Sequence, residues 1–96
     1  MVSEFKPLDP LLHSQLRLAV MSLLLSVESA EFTFLKEKTE STAGNLSVQL
    51  DKLEKANYIK ITKSFKGKRP LTTCSITSRG IKAFENYVEN LKNYIN

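Results

Sequence analysis

Apolar residues keep a helical rhythm along most of this sequence and abandon it between Tyr58 and Thr77, where they alternate with polar ones about a tip of Lys66, Gly67, Lys68, Arg69 and Pro70. On one side of the first limb fall Ile59, Ile61 and Phe65, and on the other Lys60, Thr62, Ser64 and Lys66. Past the tip the alternation resumes, with Cys74 and Ile76 facing one way. Two half-buried strands joined by a basic loop therefore interrupt a helical chain. The fold class that follows is mainly α with a small β-hairpin (α+β), in the order α-α-α-β-β-α.

The first helix is expected from about Pro10 to Val27, where Leu12, Leu16, Val20, Leu23 and Val27 recur at spacings of four, four, three and four. Apolar residues nearly encircle Leu18 to Leu25, so this helix must be covered on most sides. That places it at the centre of the core and puts Leu12 and Leu16 at a contact with a second subunit. Phe32, Thr33 and Phe34 suit a brief strand or a bend, with Thr33 as N-cap of a second helix running from Phe34 to Thr39. Ser41 or Thr42 caps a third helix that reaches about Ala56, and Asn57 ends it in a left-handed conformation.

Thr77 or Ser78 caps the last helix, in which Ile81, Phe84, Val88, Leu91 and Ile95 follow a three-four-three-four rhythm widened by Tyr87 and Tyr94. This seam extends beyond the body expected for residues 10–77, where little of its own chain can cover it. A homodimer follows, with residues 78–96 as the dimerisation helix and Leu12, Leu16, Phe84, Val88, Leu91 and Ile95 at the contact. The chain fits one domain, 1–96, whose modest core a partner subunit would help complete.

Charge singles out the middle of the chain. Residues 1–41 sum to −2, residues 42–69 to +5 and residues 70–96 to +1. A local excess of this kind is the footprint of a phosphate-binding surface. In the third helix Leu46, Leu50 and Leu53 line the core side, while Asn45, Val48, Gln49 and Lys52 share an exposed side that is polar but not acidic, with Ser41 and Gly44 near its leading end. Two short helices followed by exposed hydrogen-bonding groups pinned from behind by leucines are what a helix-turn-helix needs to read double-stranded DNA. Asn and Gln match adenine in the major groove, Lys matches guanine, and Thr or Val48 can meet a thymine methyl. Lys63, Lys66, Lys68 and Arg69 add phosphate contacts within seven residues, and Gly67 lets the backbone come close. An arginine there could also sense a narrow minor groove.

The run TFLKEKTESTAGNLSVQLDKLEKANYIKITKSFKGKRPLTTCSITSRG resembles the small winged-helix regulators related to the multiple-antibiotic-resistance and arsenic-repressor types, over about Leu16 to the end of the sequence. The segment GNLSVQLDKLEKANYI, the lysine-rich hairpin and the ITSRG turn carry the resemblance most specifically. It implies a winged helix-turn-helix fold and a dimeric, sequence-specific transcription regulator. The implied recognition residues are Thr42, Asn45, Ser47, Val48, Gln49 and Lys52, and the implied wing residues Lys66, Lys68 and Arg69. The chain departs from those families in its shortened terminal helices, in GKRP at the wing, and in lacking the metal-binding cysteines of the arsenic type.

Other functions have less support. Cys74 is the only cysteine, which excludes an internal disulfide or a cysteine zinc cluster and fits a reducing, cytoplasmic setting; it is expected in the core. The most apolar run, Leu18 to Val27, has ten residues where a membrane span needs about 20, and no secretory signal is visible. His13 is alone, there is no glycine-rich phosphate loop, and no nucleophile has an evident base, so no enzyme, metal or cofactor is expected. Phe32, Phe34, Phe65 and Phe84 fall at core positions, which argues against RNA. A protein-interaction adaptor is the alternative, because a fold does not fix a function. No residue set specifies a small-molecule effector.

Overall fold

One carboxylate fixes the turn that precedes the first helix. In the computed structural model, which describes residues 5–95, the Asp9 carbonyl accepts from the amides of Leu12 at 3.1 Å and His13 at 2.9 Å, and Asp9 Oδ1 accepts from Leu11 N at 2.9 Å. The helix expected from Pro10 therefore begins later, as α1 (Gln15–Leu25), with Ser14 in extended conformation as its N-cap. Leu12 sits in the turn and is fully enclosed by its own chain. It is thus a core residue, and the expected subunit contact loses it.

A two-residue strand β1 (Ala30–Glu31) leads directly into α2 (Phe32–Thr39), followed by α3 (Ala43–Lys55), β2 (Ile59–Lys66), β3 (Arg69–Ile76) and α4 (Ser78–Ile95). The antiparallel sheet has the order β1-β3-β2, with Ala30 opposite Cys74, Ile59 opposite Ile76 and Lys66 opposite Arg69. Because Glu31 is held opposite Thr73 in the sheet, α2 starts where pairing stops. Thr33 therefore lies within the first turn of α2, whose N-cap is Glu31 without a side-chain hydrogen bond. Glu40, left-handed at φ 53°, ends α2, and Thr42 caps α3 by accepting from Asn45 N at 3.1 Å. Asn57 closes α3 at φ 62°, as expected of that residue type.

The core gathers where α1, α2, α3 and the sheet meet, around Val20, Met21, Leu24, Leu35, Leu46, Leu50, Leu53, Ile59 and Cys74. Burial pushes the Cys74 thiol up to about 11, with help from the charge of Glu54. Along β2 only Ile59 is buried and Ile61 half-buried; from Thr62 onward every residue is exposed. The hairpin outruns the helices that cover its base, so Phe65, expected on the core side, is 72% exposed. Phe34 also stands out of the core at 38%, its ring 5.8 Å from the Lys38 ammonium.

The corner between sheet and α4 is built on Thr77. Its hydroxyl donates to the Asn57 carbonyl at 2.6 Å and accepts from Gly80 N at 3.0 Å, while its amide donates to the Tyr58 carbonyl at 3.0 Å. Gly80 is needed here, because a Cβ would lie 2.1 Å from the Tyr58 carbonyl oxygen.

The irregular segment before α1 lies along α4 and gives it cover that the sequence did not foretell. Tyr94 Oη donates to the Lys6 carbonyl at 2.6 Å, and the rings of Tyr94 and Phe5 are 5.2 Å apart. A hydrogen bond of 2.9 Å joins Tyr87 Oη to His13 Nδ1, and Tyr58 Oη donates to Asp9 Oδ2 at 2.5 Å. Burial, then the hydrogen bond to Asp9 and its charge, push the Tyr58 phenol up to about 12, against a smaller opposing pull from Arg79. Among the described residues no helix is long and apolar enough to cross a membrane.

Candidate nucleic-acid interface

Helix α3 is held from behind by Leu46, Leu50 and Leu53, all buried, and this leaves the rest of its surface to the outside. Thr42, Asn45, Ser47, Val48 and Lys52 are exposed, Val48 at 51%, and Gln49 is half-buried. These residues divide between two flanks. Asn45 and Gln49 lie on the flank toward α1, and Ser47 lies toward the hairpin. The Thr42 oxygen accepts the capping bond, which leaves its hydroxyl hydrogen and its methyl group for an outside contact.

A hydrogen-bond chain runs from α1 to the outer face of α3. The Arg17 guanidinium donates through Nε to the Leu11 carbonyl at 2.5 Å and through Nη1 to Gln49 Oε1. Gln49 Nε2 in turn donates to Asn45 Oδ1 at 3.1 Å. A guanidinium has only donors, so the Gln49 atom facing it must be the oxygen, and the amide nitrogen must then face Asn45. Arg17 thus fixes the orientation of both amides before any ligand arrives. Sequence periodicity assigned this stretch to the core and passed over Arg17. The available signal was that Arg17 is the only charged residue within Gln15–Leu25, a position that calls for a partner.

The hairpin carries the other cations. Lys63, Lys66, Lys68 and Arg69 are all exposed, and among the described residues none of them is in an ion pair. Gly67, at φ 65°, takes the first of the two central positions of the tip, as a type II′ turn requires. Lys63 and Ser47 face each other across an open cleft of about 580 Å³ between α3 and the hairpin, together with Asp51 and Glu54. Glu54 Oε2 accepts from Ile61 N at 3.0 Å and so pins the hairpin base to α3. The α3 side bearing Ser47, Asp51 and Glu54 and the hairpin side bearing Lys63 line the same cleft, and the remaining hairpin cations lie farther out toward the tip. Among the described residues no group of three or more histidine, cysteine or carboxylate side chains is placed to hold a metal ion.

On α4, Phe84 and Leu91 are half-buried against the core, as is Leu16 on α1. Ile81, Val88 and Ile95 are 38%, 37% and 75% exposed. Their spacing of seven residues lines them up along one side of the helix.

Comparison with known proteins agrees with this geometry. A family model described as a winged helix DNA-binding domain matches residues 16–95. An uncharacterized protein of Methanocaldococcus jannaschii is 40% identical over 76 residues, spanning 79% of this chain and 83% of that protein. Among solved structures, a transcriptional regulator homologue from Pyrococcus horikoshii superposes with a TM-score of 0.82 at 29% identity, covering 88% of this chain and 84% of its own. AbsC of Streptomyces coelicolor, a MarR family transcriptional regulator, shares the fold with a TM-score of 0.68 at 18% identity, over 80% of this chain and 53% of its own. With a helix-turn-helix at Phe32–Lys55, a basic hairpin behind it and a family match over residues 16–95, the chain belongs to the winged-helix DNA-binding domain family, with MarR-family regulators among its structural neighbours.

Proposed function

We propose that this chain is a sequence-specific, double-stranded DNA-binding regulator of transcription that works as a homodimer in the cytoplasm. Helix α3 enters the major groove, and the hairpin rests on the phosphate backbone or in the neighbouring minor groove. The observation that carries the proposal is an exposed, polar α3 face next to a hairpin whose four exposed cations are in no ion pair among the described residues. Phosphates would supply that missing negative charge, and release of their counterions would supply much of the affinity. Asn45, Gln49 and Lys52, with Val48 and Thr42, are the groups offered to base edges, while Ser47 and Lys63 border the groove on the hairpin side. The likeness to the Pyrococcus horikoshii regulator homologue supports the same reading. The dimer is supported by the exposed line of Ile81, Val88 and Ile95, flanked by Phe84 and Leu91.

Gel retardation with duplexes from a random-sequence pool, at two salt concentrations, tests the proposal. Changing Lys68 and Arg69 together to Ala should weaken binding alike on all sequences and flatten its salt dependence. Asn45→Ala should instead relax base preference, costing about 1 to 3 kcal/mol on the selected site and little elsewhere. A wild-type protein that retards no duplex at low salt refutes it.

A further inference from the structure

We propose that Phe65, backed by Pro70, is an apolar wedge that enters the DNA minor groove and opens a base step there. The inference rests on the DNA-binding function proposed above and adds a second reading element to it. Phe65 is 72% exposed, and its cross-strand neighbour Pro70 is exposed as well, so the two rings form an apolar knob on one face of the hairpin near its tip. Strand alternation puts that knob on the same face as Ile61 and Lys63, which line the cleft toward α3. The knob is therefore on the side from which α3 would approach a duplex.

Its surroundings select the partner. Lys63 shares the ring's face two residues earlier, Lys66 and its cross-strand partner Arg69 lie on the opposite face, and Lys68 sits in the turn. A ring on a narrow hairpin with cations on both of its faces suits a surface that is anionic at its edges and apolar between them. The minor groove has that character: two rows of phosphates flank apolar sugar walls and the edges of stacked bases, and apolar side chains of architectural proteins insert between base steps there. The hairpin is also stiff enough to act as a wedge. The proline ring fixes its own backbone angle, and the tip is a tight two-residue turn. Opening a step costs least at flexible pyrimidine–purine steps, so Phe65 would add a preference for such a step where the hairpin lands, outside the bases read by α3.

The test uses the full chain and a duplex selected from a random pool, with a fluorescent purine analogue placed in turn at each step on the hairpin side, and a circularly permuted set for bending. Wild type should bend the duplex and brighten the analogue at one step. Phe65→Ala should keep the base preference read by α3, lose the bend and the fluorescence change, and weaken binding about tenfold, the scale of one aromatic–base stack. Phe65→Leu, still an apolar wedge, should retain most of the bend. Binding without bending or unstacking by wild type overturns the wedge and leaves the DNA-binding function standing, as does a Phe65→Ala protein identical to wild type. A fall in molecular mass on Phe65→Ala without DNA assigns the ring to a subunit contact and also overturns it. If wild type retards no duplex, both proposals fall.

Discussion

Arg17 shows how much a single donor-only side chain can decide. By holding Gln49 Oε1 it sets the Gln49 amide, and through it the Asn45 amide, at no entropic cost to a later binding event. Arg17→Met should therefore lower the ratio of specific to non-specific affinity while leaving the salt dependence unchanged. Combined with Gln49→Ala, it should add less than the sum of the two single effects, measured as a double-mutant cycle on the selected duplex. Tyr58 allows a test by pH. Its phenol lies near 12 in the folded chain against an ordinary value of 10.0, so the folded state holds that proton more tightly. The resulting stability is present in full below pH 10 and is lost as the pH climbs toward 12. Urea unfolding between these limits should show a falling limb that Tyr58→Phe makes shallower. At this scale the sequence was most legible where the chemistry is local: Thr42 and Asn57 act on neighbours in the chain, as their residue types suggest. Arg17 and Gln49 lie 32 residues apart, and no periodicity reports such a contact.

At the scale of elements, the leucine rhythm of α3 is sufficient to define both its buried side and its exposed side, because a helix repeats its own geometry. Boundaries were harder to foresee where a distant partner sets them. The apolar period runs smoothly through Leu12, yet the Asp9 turn delays α1 to Gln15; pairing of Glu31 with Thr73 advances α2 past its expected cap. Alternation correctly assigns Phe65 to the face of Ile61, but it carries no information on how far the helices extend over that face. The corner at Thr77 is the most constrained junction between elements. Gly80→Ala forces either α4 or the Tyr58 carbonyl to move, and the expected cost is about 3 kcal/mol, read as a lower urea midpoint with an unchanged slope. Retained stability would mean that α4 tolerates displacement from the sheet.

For the whole molecule, the principal extents of 59, 25 and 21 Å describe a long body rather than a sphere. Val88 and Ile95 are exposed on the C-terminal helix, so changing both to Lys should halve the mass seen by light scattering and leave the thermal midpoint of the monomer nearly unaltered. A variant that keeps the wild-type mass would place the subunit contact elsewhere. The seam of α4 was legible because it repeats; the segment that packs along it was not, because irregular chain has no period to read. That segment is tied at Lys6 and His13 to Tyr94 and Tyr87 of α4, and at Asp9 to Tyr58 beside the sheet, and so braces the second half of the helix against the body. In a dimer joined through α4, such bracing would act as a splint that holds the gauge between two reading heads. The distance between the two halves of an operator would then be written partly in Tyr87 and Tyr94, far along the chain from the reading helix.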